Sequence, residues 1–125
     1  MQKCQYIREC DLPPLASAAE IAHIRAACDQ RAKAGLGYSA KQSIALWRVP
    51  EAQLRGAIIR HINAGRRMFH KFKDDFSGTL IPQDVQANVT LSTGSDIYVE
   101  VALMDEGMII IYAHDHTPGK LRLPQ

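Results

Sequence analysis

The spacing of apolar residues changes once along this chain, near Gly78 and Pro82, and that change limits what it can fold into. Before it, apolar side chains recur at intervals of three and four. After it, they recur at intervals of two. A helical stripe and a strand face must each be buried, and one layer of helices laid on one face of a sheet buries both. The pattern therefore predicts a single α+β domain. About three N-terminal helices, preceded by a short edge strand over Cys4–Glu9, pack on a C-terminal three-stranded antiparallel meander. The expected bounds are about 14–76 for the helical part, 84–116 for the sheet and 117–125 for a loosely held tail.

Ser17 with Glu20 forms a capping box ahead of Ala18, Ile21, Ile24 and Cys28, which places a first helix that should stop near Gly35 and Gly37. Ser39 with Gln42 repeats the capping signature before a short second helix through Ile44 and Trp47. Val49 precedes a proline and is pushed from the α region, while Pro50 and Glu51 suit the first turn of a third helix. That helix is expected to reach about Lys73, with Leu54, Ile58, Ile62, Phe69, Phe72 and Phe76 on one apolar stripe. Arg55, Arg66, His70 and Lys73 then share a flank, Arg60, Arg67 and Lys71 lie further round, and His61 packs at the apolar edge.

Val85, Ala87, Val89 and Leu91 alternate with Gln86, Asn88, Thr90 and Ser92, a half-buried strand. Thr93-Gly94-Ser95-Asp96 is a turn, Ile97 to Met104 a second strand, and Met108 to His114 a third. The loop between the last two decides which side chains share a face, because a slip of one residue turns every one of them over. A glycine-bulged loop Asp105-Glu106-Gly107 pairs Leu103 with Ile109, Val101 with Ile111 and Val99 with Ala113. Tyr98, Glu100, Tyr112, His114 and His116 then face away from the helices. A two-residue Glu106-Gly107 loop would instead set His114 beside Val99.

In the first register a carboxylate and two imidazoles share one sheet face, the groups needed for general acid–base chemistry. Glu100 would take a proton from an attacking hydroxyl and His114 or His116 would return one to the leaving group. Tyr98 or Tyr112 would stack on a base or donate to a phosphate. Arg55, Arg66, Arg67, His70, Lys71, Lys73, Lys120 and Arg122 would hold the phosphate backbone. These are the parts of a metal-independent ribonuclease, for which no cofactor is expected. Glu100 is equally a solvated strand charge paired across the sheet, and His114-Asp115-His116 a polar exit from it. His114 and His116 point the same way, yet no third ligand at a suggestive spacing supports a metal site.

Helices first, then an antiparallel sheet carrying Glu100 and afterwards His114, resembles the layout of barnase-like and RelE-like ribonucleases. The likeness is one of layout and residue kind over about the last 45 residues. An arginine on the strand between the glutamate and histidine positions, which the barnase-like arrangement implies, is absent.

The net charge of +2 says little about partners, but its distribution says more: seven Lys or Arg between Arg48 and Lys73 stand against the single acid Glu51. A local positive field of that kind fits RNA. The same polar face, or an exposed sheet edge, would equally serve a non-catalytic protein that holds a macromolecular partner, such as an immunity protein, phage inhibitor or regulator. Pairing of sheet edges would give a homodimer. No stretch is long and apolar enough for a membrane span and no secretory signal is visible, so the expected location is the cytoplasm. Cys4, Cys10 and Cys28, odd in number and without a C-x-x-C pair, read as reduced thiols.

Overall fold

The computed structural model describes residues 6–74, 80–117 and 120–125. Among them are three α-helices, α1 (Ala18–Cys28), α2 (Tyr38–Trp47) and α3 (Glu51–Asn63), and five strands. The strands are β1 (Ala34–Leu36), β2 (Phe69–Asp74), β3 (Leu80–Thr90), β4 (Asp96–Leu103) and β5 (Ile109–Asp115). They form one mixed sheet in the order β1-β5-β4-β3-β2, antiparallel except where β1 runs parallel to β5. The α+β class is as expected, but the sheet gains a strand at each edge relative to the three-stranded meander.

The capping box is formed as read. Ser17 Oγ accepts from the Glu20 amide and Glu20 Oε1 accepts from the Ser17 amide. The helix ends at Cys28, short of Gly35, because Arg31–Lys33 turns tightly and Ala34–Leu36 pairs with β5. Gly37, not Ser39, stands at the N-cap of α2 with no side-chain capping bond, and a Cβ there would lie 2.3 Å from the Tyr112 ring, so the position requires glycine. Pro50 sits at the N-cap of α3 with Glu51 in its first turn, where negative charge favours the helix dipole.

The third helix does not reach Lys73. It ends at Asn63, Gly65 follows at φ 71°, and the chain enters β2 at Phe69. Glycine adopts this left-handed conformation without a Cβ penalty, the usual way a helix stops. The spacing of Phe69 and Phe72 mimics a helix because the β2–β3 register shifts between Lys71 and Phe72 and breaks strict alternation. Phe76 lies outside the described residues.

The core lies between the helices and one sheet face. Val85, Ala87 and Val89 of β3, Ile97, Val99 and Val101 of β4, and Ile109, Ile111 and Ala113 of β5 meet Ile24, Leu54 and Ile58. Each such aliphatic side chain contributes roughly 1.5–3 kcal/mol when removed from water. The register is the one that the glycine-bulged loop predicts: Leu103 opposite Ile109, Val101 opposite Ile111 and Val99 opposite Ala113. Gly107 has φ 73°, with Glu106 also left-handed at φ 61°.

The other sheet face is not open water. The chain from Ile7 to Ala16 borders it at the β2 edge, where Leu15 bridges antiparallel to Phe69, Ala16 N–H donates to the Met68 carbonyl and His70 N–H to the Pro14 carbonyl. The C-terminal residues, expected as a loose tail, cross it as a strap. Ile7 donates to the Arg122 carbonyl, Leu123 donates its amide to Asn88 Oδ1, and Gln125 Nε2 donates to Thr90. Leu123 is buried in consequence. Of the expected strand over Cys4–Glu9, residues 4 and 5 lie outside the described residues; the described part forms one bridge, Tyr6 to Arg122, followed by a single turn over Glu9–Asp11.

Candidate functional site

Strand pairing sets a row of polar side chains across the face away from the helices. Lys71 stands opposite Asp84, Gln86 opposite Glu100, Asn88 opposite Tyr98, and Tyr98 opposite His114. Glu100 is locked within this row. Lys71 Nζ donates to its Oε1 at 2.6 Å, and the Tyr98 hydroxyl lies 3.0 Å from the same oxygen. That hydroxyl is also 3.0 Å from Gln86 Oε1 and has one proton for two acceptors, of which the charged carboxylate is the stronger. Burial pushes the Glu100 carboxyl up, but hydrogen bonds with Asp84, Lys71 and Tyr98 outweigh that and hold it below its ordinary value. Burial, with the Glu100 charge beside it, pushes the Tyr98 phenol far up, so Tyr98 stays a neutral donor.

The histidines stand differently. His114 is exposed, its ring 4.9 Å from that of Tyr98 with 31° between the planes. A backbone carbonyl can only accept, so Nδ1 of His114, 2.8 Å from the Asp115 carbonyl, carries the proton. By the same argument His116 donates from Nε2 to the Lys120 carbonyl at 2.6 Å. In the neutral rings this leaves His114 Nε2 and His116 Nδ1 with free lone pairs.

Both histidines line a cleft of about 320 Å³. Its walls are apolar, from Ile7 and Pro13 of the N-terminal segment and Leu121 and Leu123 of the strap, two segments joined where Ile7 donates to the Arg122 carbonyl. The Tyr98 ring forms the floor with Gln86 and Asn88, and Lys71, His114, His116, Thr117 and Lys120 carry the polar groups around it. Among the described residues no carboxylate lines it. The floor amides are committed: Gln86 Nε2 to the His70 carbonyl, Asn88 Nδ2 to the Ile97 carbonyl and Asn88 Oδ1 to Leu123. Groups left to meet a ligand are therefore the two free imidazole nitrogens, the Thr117 hydroxyl and the ammoniums of Lys71 and Lys120.

Of the candidate catalytic residues, Tyr98, His114 and His116 come together here. Glu100 lies behind Tyr98, bonded to no histidine among the described residues, and Tyr112 packs against Gly37. The expected basic helix face does not form, since only Arg55 and Arg60 of its cations lie on α3. Arg55 is turned inward, donating to the Cys28 carbonyl and facing Glu51 at 3.9 Å. Arg67 pairs with Glu9, His70 with Glu20, Lys71 with Glu100 and Arg122 with Asp96. Arg66 binds the Gln125 amide oxygen, and the Lys73 side chain lies outside the described residues. Lys120 alone of the expected phosphate-binding residues is both exposed and on the cleft without an acidic partner.

The strap and the N-terminal segment supply cleft walls that the sequence reading missed. Leu121 and Leu123 alternate with Lys120 and Arg122, a period of two that a tail does not need. His61 is buried as expected, where desolvation lowers its pKa against the hydrogen bond it makes to the Arg67 carbonyl. Cys10 is exposed and Cys28 buried, both as free thiols; burial pushes Cys28 up to about 12. Cys4 lies outside the described residues. Among the described residues no three His, Cys, Asp or Glu side chains converge as metal ligands, and no helix is long and apolar enough to cross a membrane. The chain matches no protein family, no curated protein and no solved structure.

Proposed function

We propose that this is a small RNA-directed protein whose cleft receives one nucleotide unit of a single strand. The observation that carries the reading is the composition of the cleft. Apolar walls and an aromatic floor are ringed by two lysines and two histidines, with no lining carboxylate among the described residues. A planar base gains by stacking on Tyr98 and His114, and its phosphate by meeting Lys71 and Lys120.

The same cleft supports cleavage without Glu100 as the base. His114 Nε2 removes the proton of the ribose 2′-hydroxyl, whose oxygen attacks phosphorus. The bond to the 5′-oxygen breaks, and that oxygen leaves with a proton from the His116 imidazolium. A 2′,3′-cyclic phosphate and a 5′-hydroxyl result, and the Lys120 charge stabilises the intervening phosphorane. Glu100 serves to anchor Lys71 and Tyr98.

A second reading is non-catalytic binding of RNA. It is favoured by the engagement of Glu100 with Lys71 and Tyr98, which takes the carboxylate out of the reaction. One experiment separates them: labelled single-stranded RNA incubated with the protein in chelator, with binding and chain cleavage followed together. The enzyme reading expects cleavage that His114→Ala or His116→Ala lowers by about 10²–10⁴-fold with melting temperature nearly unchanged. RNA bound but intact selects the binding reading, and RNA neither bound nor cut removes both.

A further inference from the structure

We infer that a second anion subsite, for another phosphodiester of the same RNA strand, lies where the C-terminal end of α3 meets the end of β3. It rests on the RNA reading of the cleft and extends it from a nucleotide to a strand.

The site is a concavity of about 250 Å³ whose polar lining comes from Arg60, His61, Arg66, Thr90 and Ser92. Like the cleft, it has no lining carboxylate among the described residues. Its two guanidiniums differ from the other arginines near the sheet. Arg67 and Arg122 are neutralised by Glu9 and Asp96, whereas among the described residues Arg60 has no acidic partner and Arg66 binds only the neutral amide of Gln125. The helix dipole opposes an anion here with about half a unit charge, and two full positive charges exceed it.

His61, 3% exposed, packs in the same wall and donates from Nε2 to the Arg67 carbonyl, with its Nδ1 buried out of reach of a ligand. What the concavity offers is therefore two cations, and a phosphodiester offers the matching anion.

Strand geometry links the two sites. Gln86 and Asn88 line the cleft, Thr90 and Ser92 the second concavity, and a third hollow shares Asn88 with the cleft and is lined also by Gln125 and by Arg122 paired with Asp96. Four residues of extended chain separate the pairs by about 13 Å. A single nucleotide does not bridge that distance, and a short strand does.

The test uses the full chain with two probes, uridine monophosphate and a labelled octamer of uridine. Arg60→Gln with Arg66→Gln should leave monophosphate affinity unchanged, weaken the octamer about tenfold, and flatten its dependence on salt by about one to two units of slope. Arg60→Gln alone, which breaks no side-chain hydrogen bond or ion pair among the described residues, should give about half the change in slope. Octamer affinity and slope equal to wild type in both variants would overturn the subsite while leaving the cleft standing. A wild-type protein that binds neither probe would overturn the cleft reading and the subsite with it.

Discussion

The ring of Tyr98 lies 4.9 Å from the ring of His114, while its hydroxyl reaches the carboxylate of Glu100. One side chain thus separates the acid from the imidazole that the sequence places together, and it has two separable parts. Tyr98→Phe keeps the ring and removes the hydroxyl, leaving Glu100 one donor short. The expected loss is about 1–2 kcal/mol of stability with RNA affinity retained. Tyr98→Ala should instead cost about 1–3 kcal/mol of binding to single-stranded RNA, measured by anisotropy. Equal binding by wild type and Tyr98→Ala would show that no base stacks there.

Lys71 is the main charge partner of Glu100, whose side chain is only 13% exposed. Lys71→Met should lower stability by about 2 kcal/mol near neutral pH, as expected for loss of a hydrogen bond to a charged group. The pH dependence has a defined sign. Because the folded Glu100 carboxyl lies below its ordinary 4.5, its contribution is fully present above that value and is lost as pH falls through the lower folded value. In Lys71→Met the folded value rises, so this part of the acid limb shrinks in urea titrations run across the acid range.

Glu20 joins the N-terminus of α1 to β2, accepting from the Ser17 amide at 2.8 Å and from His70 Nε2 at 2.6 Å. Burial raises its pKa, and the bonds from Ser17 and His70 more than reverse this. Glu20→Gln preserves much of the capping box and discards the charge. Glu20→Ala discards both, and should cost about 1 kcal/mol more in chemical denaturation. Equal costs would mean that the cap contributes nothing here.

His61 gives an acid sensitivity of a different origin. Desolvation lowers its folded pKa below the ordinary 6.5, so the unfolded chain binds a proton more readily than the folded one. Stability should therefore begin to fall as pH drops below that value, until the folded imidazole also protonates. His61→Gln should flatten this limb. A stability curve of unchanged shape in the variant would show that His61 does not set it.

The residues that carry β3, β4 and β5 were legible because each strand alternates cleanly and is half-buried. The left-handed Gly107 then fixed the hairpin, which brought Tyr98 and His114 together. The end of α3 was misread at Phe69 and Phe72, where a register shift gives a strand helix-like spacing; Gly65 was the overlooked stop. Three residues of β1 are too few to show any period. The pairings of Lys71 with Glu100 and His70 with Glu20 were invisible for another reason. They depend on which strand lies beside β2 and which helix lies beneath it, and local pattern does not encode that.

The cleft draws its apolar walls from Ile7 and from Leu121 and Leu123, so it is closed by chain segments near opposite ends of the sequence. The bonds nearest the cleft are Ile7 to Arg122, Leu123 to Asn88 and Gln125 to Thr90, with ion pairs from Arg122 to Asp96 and Arg67 to Glu9, while β4 and β5 are zipped on both sides into the sheet. Partial opening at either end would dismantle the binding surface and leave the helix–sheet body intact. Hydrogen exchange should show the Ile7 and Leu123 amides unprotected together, well before those of Val99 and Ile111. Loss of ligand binding on gentle heating should then precede any change in helical circular dichroism.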